Sequence, residues 1–375
     1  MYFCSEKNIE KMLAKFAVKN YRGFAEKIEW DLSHPSNYEF NTLAVKDGII
    51  KNGIIYGPNG SGKTNFGLAV FDIVNHLTQK EKERDYNLNF AHAGNQSSPV
   101  EFYYEFRFRN SRVNYSYKKD YSAELLSEQL VVNDEIVFVR DGNELVINKY
   151  DIEPYRYNEY VNNANKVSIV SALLSTYPIK EDDPLLIMKQ FTDKMLWFKN
   201  LEEDRYVGLQ NGSSDVEEYI IKNGLIADFE DFLSEVSKQH FSFDKQNTGH
   251  ERLLWCLINN VRIPFDIIRS TGTRALEFLF YWITKIDSVS LIFIDEFDAF
   301  YHYELAFNLC KKLFGNDCQL FLTSHNTFLM TNDLLRPDCN FILNKNTIKP
   351  LCDCTEKELR WGHNIEKLYR GGAFD

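Results

Sequence analysis

Eight residues in the first quarter of the chain, Gly57 to Thr64, have the spacing of a phosphate-binding loop. They read Gly-Pro-Asn-Gly-Ser-Gly-Lys-Thr, which matches GxxxxGK[ST] in full. Glycines let successive backbone N–H groups turn towards phosphate oxygens, while Lys63 supplies a positive charge and Thr64 a hydroxyl ligand for Mg²⁺. We therefore predict a nucleoside triphosphate site. The residues predicted to contact the nucleotide here are Asn59, Gly60, Ser61, Gly62, Lys63, Thr64 and Asn65.

An acidic pair far downstream follows the apolar run Val289–Ile294. Such continuous hydrophobicity is typical of a parallel strand buried on both faces. By itself, an apolar strand followed by Asp295 and Glu296 is more often the start of a helix than a catalytic pair. Together with a phosphate loop, the pair predicts Asp295 as the metal carboxylate and Glu296 as the general base that polarises the attacking water.

A histidine follows the next predicted strand, Gln319–Thr323. Ligands of open α/β sheets bind at the carboxyl ends of the strands, which is where His325 would lie. An isolated histidine in a polar loop would need no special role, but an imidazole in this place can donate a hydrogen bond to a phosphate oxygen. We predict that His325 senses the γ-phosphate.

The segment Arg269–Arg274 precedes a predicted helix over Ala275–Lys285. Ser270 and Gly272 have the residue types of a loop-to-helix anion site, yet Ser, Thr and Gly also favour an ordinary helix cap and turn. From the local sequence, the two interpretations are equally supported.

The remaining elements must position these residues. The loop follows the apolar run Ile54–Tyr56, and a helix is predicted over Asn65–Leu77, with its positive end towards the phosphates. Alternating aromatic and polar residues predict further strands, which would make the first lobe a mixed sheet. These strands are Pro99–Arg109, Arg112–Asp120, Leu125–Val139 and Glu144–Asn148, with a hairpin at Asn110-Ser111. Helical periodicity covers Leu185–Leu201, Ser214–Lys222 and Ile226–Lys238.

The order of these motifs resembles that of ABC-type ATPases: phosphate loop, long middle section, Ser-x-Gly signature, acidic strand and switch histidine. The resemblance implies that ATP and Mg²⁺ are bound, and that two subunits sandwich ATP head to tail. Ser270 and Gly272 would then touch the γ-phosphate bound by a partner copy, and a monomer would be catalytically incomplete. It also implies a metal-sensing glutamine, for which Gln96 and Gln129 are rival candidates and an ordinary loop glutamine is an equal alternative.

Within that superfamily the chain resembles the SMC/RecF-like branch, because Phe16–Phe24 is similar to its opening strand and turn, with Gly23 where Ser is usual. It is closer still to the abortive-infection ATPases of bacterial antiphage systems. The shared features are the short signature Ser270–Thr273, the run Asp295–His302 and the closing pattern His363–Phe374. This resemblance implies a homo-oligomeric scaffold that responds to a phage protein trigger and holds a toxic nuclease effector encoded nearby. The alternative is a RecF-like DNA-binding ATPase of DNA repair.

These features together predict an α/β fold, an ABC-type ATPase head in which a P-loop sheet is joined to an antiparallel β lobe and a helical insertion subdomain. Residues 1–165 would form the N-terminal half of the head, 166–265 the helical insertion, and 266–375 the C-terminal half with signature, acidic strand and switch histidine. No sustained heptads indicate a long coiled coil in the insertion.

Composition and charge limit the binding partners and the cellular compartment that we expect for this chain. The 375 residues are 44% hydrophobic and 15% aromatic, enough to fill a sizeable core. A net charge of −11 disfavours a DNA-binding surface spread over the monomer, although a basic groove formed on assembly stays open. The N-terminus has no apolar signal segment and no stretch has membrane-spanning length, so we predict a cytoplasmic protein without a membrane partner. Seven cysteines without zinc-site spacing predict reduced thiols.

Overall fold

The computed structural model describes residues 11–78, 87–109, 111–163, 167–198, 206–208, 216–244 and 252–374. The strands are β1 Lys11–Lys19, β2 Ile28–Asp31, β3 Val45–Lys46, β4 Ile49–Ile50, β5 Asn52–Tyr56, β6 Val100–Phe108, β7 Ser111–Lys119, β8 Leu125–Val132, β9 Glu135–Asp141, β10 Glu144–Ile147, β11 Met195–Phe198, β12 Tyr206–Gly208, β13 Trp255–Ile258, β14 Val261–Pro264, β15 Leu291–Ile294, β16 Gln319–Ser324, β17 Asn340–Leu343 and β18 Ile348–Pro350. The helices are α1 Lys63–Val70, α2 Asp72–Leu77, α3 Pro154–Asn163, α4 Ile169–Thr176, α5 Pro184–Asp193, α6 Val216–Lys222, α7 Ile226–Ser237, α8 Phe265–Ile268, α9 Thr271–Ile283, α10 Tyr303–Phe314 and α11 Ile365–Arg370.

One seven-stranded sheet is antiparallel throughout, with the order β10-β9-β8-β7-β6-β1-β2. Burial alternates along β2, β7 and β10, as a period-two pattern requires, whereas β1 has two runs of three buried residues. In β7, for example, Val113, Tyr115, Tyr117 and Lys119 face inwards while Ser116 and Lys118 face outwards. This sheet covers one side of the phosphate-loop helix.

The second seven-stranded sheet has the order β12-β11-β15-β16-β5-β17-β18. Its five central strands run parallel, and β12 and β18 add antiparallel edges. Strands β5, β11, β15 and β16 are buried along their whole length, which explains their lack of alternation in the sequence. The phosphate-loop strand β5 is therefore flanked by strands from the C-terminal part of the chain.

Helix α1 lies between the two sheets. Its Phe66 packs against Phe16 of β1 and against Trp30 of β2, with ring centroids 5.8 Å and 5.3 Å apart. Trp30 also contacts Phe321 of the parallel sheet, at 4.4 Å. A buried amide joins the same layers, because the Gln319 side chain accepts from the Leu13 N–H at 3.0 Å and donates to the Leu13 carbonyl at 2.9 Å. The sheets and helix thus share one core.

The predicted α/β fold, a P-loop sheet with an antiparallel lobe, is confirmed. The prediction that the first lobe is one mixed sheet is wrong: its later strands form the antiparallel sheet, and β5 belongs to the other, mixed sheet. The strand predicted over Leu125–Val139 is two strands, β8 and β9, because Asn133 and Asp134 adopt positive φ and form a turn.

The interval 166–265 is not only helical. The helix predicted over Leu185–Leu201 ends at Asp193, and the next residues form β11, which pairs with β15 in the parallel sheet. A hairpin of β13 and β14 follows later. Helix α7 occupies almost the whole range predicted as Ile226–Lys238. The division into three domains remains a prediction.

Parts of some predictions lie outside the described residues: the N-terminal segment before Lys11, the turn residue Asn110, residues 199–201 and residues 214–215. Among the described helices, none combines the length and the apolar character that crossing a membrane requires. The six cysteines in the described ranges are free thiols.

Candidate functional site

The phosphate loop connects β5 directly to α1, in the strand–loop–helix order that the motif requires. Gly57 lies close to its neighbours: a Cβ there would be 2.5 Å from the Leu343 carbonyl oxygen and 2.6 Å from Ser61 Oγ. Gly60 and Gly62 have φ of 76° and 101°, values that residues with side chains rarely adopt. Glycine is thus needed for both the packing and the curl of the loop.

Lys63 is the first residue of α1, and its buried side chain folds back over the loop. Its Nζ donates to the Gly57 carbonyl oxygen at 2.9 Å and lies 3.5 Å from His325 Nδ1. Burial lowers the pKa of Lys63, and the carboxylates of Asp295 and Glu296 act in the opposite direction. The ammonium group is therefore held at the loop before any phosphate arrives.

The loop has the donors that a phosphate requires. Ser61 Oγ is buried and has no hydrogen-bond partner among the described residues, so an acceptor arriving at the loop would satisfy it. Gly62, directly after Ser61, caps the eight-residue helix α1, whose N-terminus presents backbone N–H groups. Asn59, Gly60, Thr64 and Asn65 surround these donors in sequence. The residues present fit a triphosphate.

Asp295 directly follows β15 and is 1% exposed. Its Oδ1 accepts a hydrogen bond from Thr323 Oγ1 at 2.5 Å, and its carboxyl group is also hydrogen-bonded to the Thr64 side chain. Burial raises the pKa of Asp295, while these two hydroxyl groups lower it. A buried carboxylate paired with the Thr64 hydroxyl is an oxygen-rich ligand set suited to Mg²⁺.

Glu296, the next residue, is exposed and has a φ of 47°. Glutamate adopts this left-handed conformation at a cost of about 1 kcal/mol or more. Its N–H donates to Thr323 Oγ1 at 2.9 Å, and the N–H of Phe297 donates to the Thr323 carbonyl oxygen at 3.1 Å. The backbone is thus held so that Asp295 turns inwards and Glu296 outwards, which suits one metal ligand and one solvent-facing base.

His325 follows β16, at the same edge of the sheet as the phosphate loop and Asp295. Burial lowers the pKa of His325, and the neighbouring charge of Lys63 lowers it further. The imidazole is therefore biased towards its neutral form, in which one ring nitrogen can donate and the other can accept.

Asp298 joins this group, although the motifs did not single it out. Its carboxylate is hydrogen-bonded to the Ser324 side chain and lies within electrostatic reach of His325 and Lys63. Ser324 Oγ also accepts from the Asn326 N–H at 2.8 Å, so it links Asp298 to the backbone on both sides of His325. The sequence signal for this link is a Ser immediately before the histidine, which acquires meaning only once β15 and β16 are neighbours.

Ser270 and Gly272 lie elsewhere, at the start of α9. Ser270 is the helix cap, with Oγ accepting from the Thr273 N–H at 3.1 Å, so the ordinary cap interpretation holds in this chain. Gly272 faces the Phe300 carbonyl oxygen, 3.1 Å from where a Cβ would be. Among the described residues, no hydrogen bond connects Ser270 Oγ to the phosphate loop. Exposure of Ser270 leaves it accessible to another molecule.

The two glutamine candidates occupy different settings. Gln96 is exposed in a turn before β6, and Gln129 is half-buried in β8 of the antiparallel sheet. Neither has a hydrogen bond to the loop or to Asp295 among the contacts of the described residues. The assignment of a metal-sensing glutamine remains open.

No protein-family model matches the chain, and no curated protein matches it. Among solved structures, it is similar to the SMC head domain from Thermotoga maritima, with 12% identity over 90% of this chain and 98% of that one, and a TM-score of 0.44. It is also similar to an Smc head domain with an extended coiled coil bound to the C-terminal domain of ScpA, derived from Pyrococcus furiosus. That match has 11% identity, 91% and 96% coverage and a TM-score of 0.44.

The recombination mediator RecF with ATP is a further similar structure, at 13% identity over 92% of this chain and 100% of that one, with a TM-score of 0.38. At these identities the likeness concerns the fold alone. The strand order, the loop between β5 and α1 and the acidic residues after β15 define an α/β fold with a strand–loop–helix unit of the phosphate-loop type.

Proposed function

We propose that the chain is an ATP-binding and ATP-hydrolysing subunit of the ABC type. The observation that carries this proposal is the meeting of Lys63, Asp295 and His325 at one edge of the parallel sheet, from three separate strand ends. Adjacent parallel strands β15, β16 and β5 bring them together. Carboxyl ends of such strands are where open α/β sheets bind ligands.

Each residue has a distinct task in hydrolysis. Lys63 and the loop N–H groups would bind the β- and γ-phosphates, and Thr64 with Asp295 would hold Mg²⁺, which when bound offsets negative charge on the phosphate oxygens. Glu296 accepts a proton from the attacking water, and its solvent-facing position gives that water access. His325 donates to the γ-phosphate from beside Lys63.

Paired heads would complete the site. Ser270 and Gly272 start a helix and stay exposed or half-exposed, so they are free to meet a nucleotide held by a second copy. A helix of 13 residues directs its positive end at that point, which favours an anionic partner group. We infer that ATP joins two heads in head-to-tail fashion.

The biological setting we propose is a bacterial antiphage, abortive-infection system. Support comes from the resemblance of Ser270–Thr273, Asp295–His302 and His363–Phe374 to the ATPases of that family, of which the ATPase subunit of the PARIS defence system is one member. In this proposal an oligomer of heads, in the cytoplasm, holds a nuclease effector and releases it when a phage protein binds. The recognised motifs of this chain all belong to one ATPase site, so we propose that the toxic nuclease activity belongs to another subunit.

Two substitutions test the hydrolytic site. Lys63→Ala should abolish ATP binding or hydrolysis because the phosphate contact is lost, whereas Glu296→Gln should still bind ATP and lose turnover because the base is gone. Phosphate release and nucleotide affinity are measured for both. Equal turnover in wild type and Glu296→Gln would refute the assignment of Glu296 as the base.

The signature is tested by Ser270→Arg, which places a bulky cation where the partner's γ-phosphate would lie. We expect intact ATP binding by the monomer and no ATP-dependent pairing, measured by light scattering in the Glu296→Gln background. Pairing that persists in Ser270→Arg would show that the heads do not meet through α9.

The defence setting is tested by the native mass of the protein co-expressed with the product of its neighbouring gene, with ATP present. A large complex that contains the neighbour supports the scaffold and identifies the effector. A small ATP-dependent dimer that ignores the neighbour and binds DNA with steep salt dependence would instead indicate a RecF-like repair ATPase.

A further inference from the structure

A cleft of about 670 Å³ lies beside the switch histidine and outside the nucleotide site. Its walls are the start of α10, the residues after β16, and the segment that leads into α11. Phe307 and three more exposed aromatic side chains line it, and each of these three, Tyr303, Phe328 and Trp361, is 53% exposed. Three large exposed aromatics in one concave surface are unusual on a folded chain and indicate a binding site. We refer to this surface as the aromatic cleft.

The aromatic groups are held in place although they are exposed. Tyr303 and Phe328 pack with ring centroids 5.5 Å apart, and Trp361 packs against Phe40 at 5.1 Å. Behind them, the buried Asn332 side chain donates to the carbonyl oxygens of Arg360 and Trp361 at 3.0 Å and 2.9 Å. A wall positioned in advance loses little side-chain entropy when it binds a ligand.

The charge of the lining favours a cation. Glu304, Asp333 and Glu366 line the cleft, and Lys238 is the one lysine or arginine among the lining residues described. Within the described part of the chain neither Glu304 nor Asp333 forms an ion pair, although Glu304 Oε1 accepts from the Tyr303 hydroxyl at 3.4 Å. Two unpaired carboxylates beside aromatic faces form a surface that is complementary to a positively charged side chain.

The chain itself shows this kind of recognition beside the cleft. The Arg370 guanidinium lies 5.0 Å above the Phe328 ring and 2.8 Å from a Glu366 oxygen, at the edge of the same cleft. A carboxylate and an aromatic ring thus already share one arginine there. Glu304 beside Tyr303, and Asp333 in the lining that also contains Trp361, offer carboxylates and rings to another molecule.

We propose that the aromatic cleft binds an arginine- or lysine-bearing segment of a partner protein. Guanidinium groups fit best, because a planar cation can stack on a ring and still donate to a carboxylate. Phe328, the first lining residue after β16, lies three residues after His325, and Thr327 Oγ1 contacts Glu366 Oε1 at 3.5 Å. The loop that carries His325 therefore forms part of the cleft wall. Regulation of the bound segment by nucleotide rests on the proposed ATPase function, whereas binding itself does not.

The test uses a fluorescein-labelled peptide, Gly-Ser-Arg-Leu-Arg-Ser-Gly, titrated with the full chain in the absence of nucleotide and followed by fluorescence anisotropy. The comparison peptide carries citrulline in place of both arginines, which keeps the shape and removes the charge. We expect saturable binding of the arginine peptide and at least tenfold weaker binding of the citrulline peptide. Absence of saturation below about 1 mM, or equal affinity for both peptides, would overturn the proposal.

Variants locate the binding. Glu304→Gln with Asp333→Asn should weaken the arginine peptide about tenfold or more, and Trp361→Leu should weaken it severalfold through the lost ring. The matched control, Glu135→Gln with Glu144→Gln, removes the same charge from exposed positions of β9 and β10 and should leave the affinity unchanged.

Equal losses in the two double variants would mean that only net charge matters, and the cleft would not be the site. Sedimentation of the same proteins tests whether a second copy of the chain, and not a peptide, occupies the cleft. If the cleft variants abolish self-association while the peptide fails to bind, the cleft is an interface between copies of this chain. Circular dichroism of each variant, and ATP affinity measured separately, distinguish loss of folding or of the nucleotide site from loss of the cleft.

Discussion

A buried glutamate behind the phosphate-loop helices makes the stability of the fold sensitive to pH. Glu128 of β8 is 2% exposed, and its carboxyl group accepts from the Ile169 N–H at 2.5 Å and from the Tyr115 hydroxyl at 2.7 Å. His76 of α2 contacts the same Tyr115 hydroxyl at 2.7 Å. Burial raises the pKa of Glu128 to about 7, against the lowering effect of these hydrogen bonds and of Arg140. Helices α2 and α4 therefore meet at this carboxyl group.

The direction of the pH effect follows from the raised pKa. The folded chain keeps the Glu128 proton up to about pH 7, whereas the unfolded chain releases it near the ordinary value of 4.5. Stability from this group is complete below pH 4.5 and is lost as the pH rises through 7. The difference between the two pKa values corresponds to about 3 kcal/mol, of which about 2 kcal/mol is lost between pH 5.5 and pH 8.

Replacing Glu128 by Gln removes the titration and keeps a carbonyl oxygen for the Ile169 N–H. Urea unfolding, followed by tryptophan fluorescence at pH 5.5 and pH 8, gives the unfolding free energy of both proteins. Relative to the variant, the wild type should lose about 2 kcal/mol over this range. Glu144→Gln, an exposed change, serves as the control and should follow the wild type. A difference between wild type and Glu128→Gln that stays constant within about 0.5 kcal/mol would refute the reasoning.

Three further predictions concern single side chains. Lys119→Met should lower the free energy of urea unfolding by about 3 to 5 kcal/mol, because the buried carboxylate of Asp72, 2.6 Å from Lys119 Nζ, loses this cation. Adding Asp72→Asn should recover much of the lost stability. A double variant that stays as unstable as Lys119→Met would contradict the explanation. Gly62→Ala should weaken ATP binding measured by calorimetry and cost about 1 to 3 kcal/mol of stability, since alanine is strained at a φ of 101°; unchanged affinity would show that the loop can relax. Asp298→Ala should lower kcat with an ATP dissociation constant within about twofold of wild type, because it frees the loop that carries His325. Equal losses in kcat and binding would indicate a structural role instead.

The sequence predicted the strand–loop–helix unit of β5 and α1 and the strand before Asp295, because both are local patterns; the binding roles of their residues remain predictions. It failed where a pattern was ambiguous or a contact was distant. The apolar spacing of α5 continues through Met195–Phe198, so the sequence predicts the end of a helix where the structure has the buried strand β11. Asp298 could not be found, since its partner Ser324 comes from a neighbouring strand.

The ends of helices are also difficult to predict from local sequence. The helix predicted over Asn65–Leu77 is two helices, α1 and α2, which meet at Phe71 with a φ of −91° and a ψ of 2°. Nothing in the local composition requires a break there, because the segment contains no proline. The turn becomes necessary only when Phe71 packs against Phe293 of the parallel sheet, with ring centroids 6.4 Å apart.

The place of β5 between β16 and β17 has a consequence for biosynthesis. Both hydrogen-bonding neighbours of this strand are encoded roughly 270 to 290 residues later in the chain. At a synthesis rate of about 5 to 20 residues per second, the ribosome needs roughly 15 to 60 s to deliver them after β5 itself. During that time the apolar segment of β5 has neither of its sheet neighbours in the nascent chain, so we expect a chaperone that covers this segment to raise the yield of folded protein.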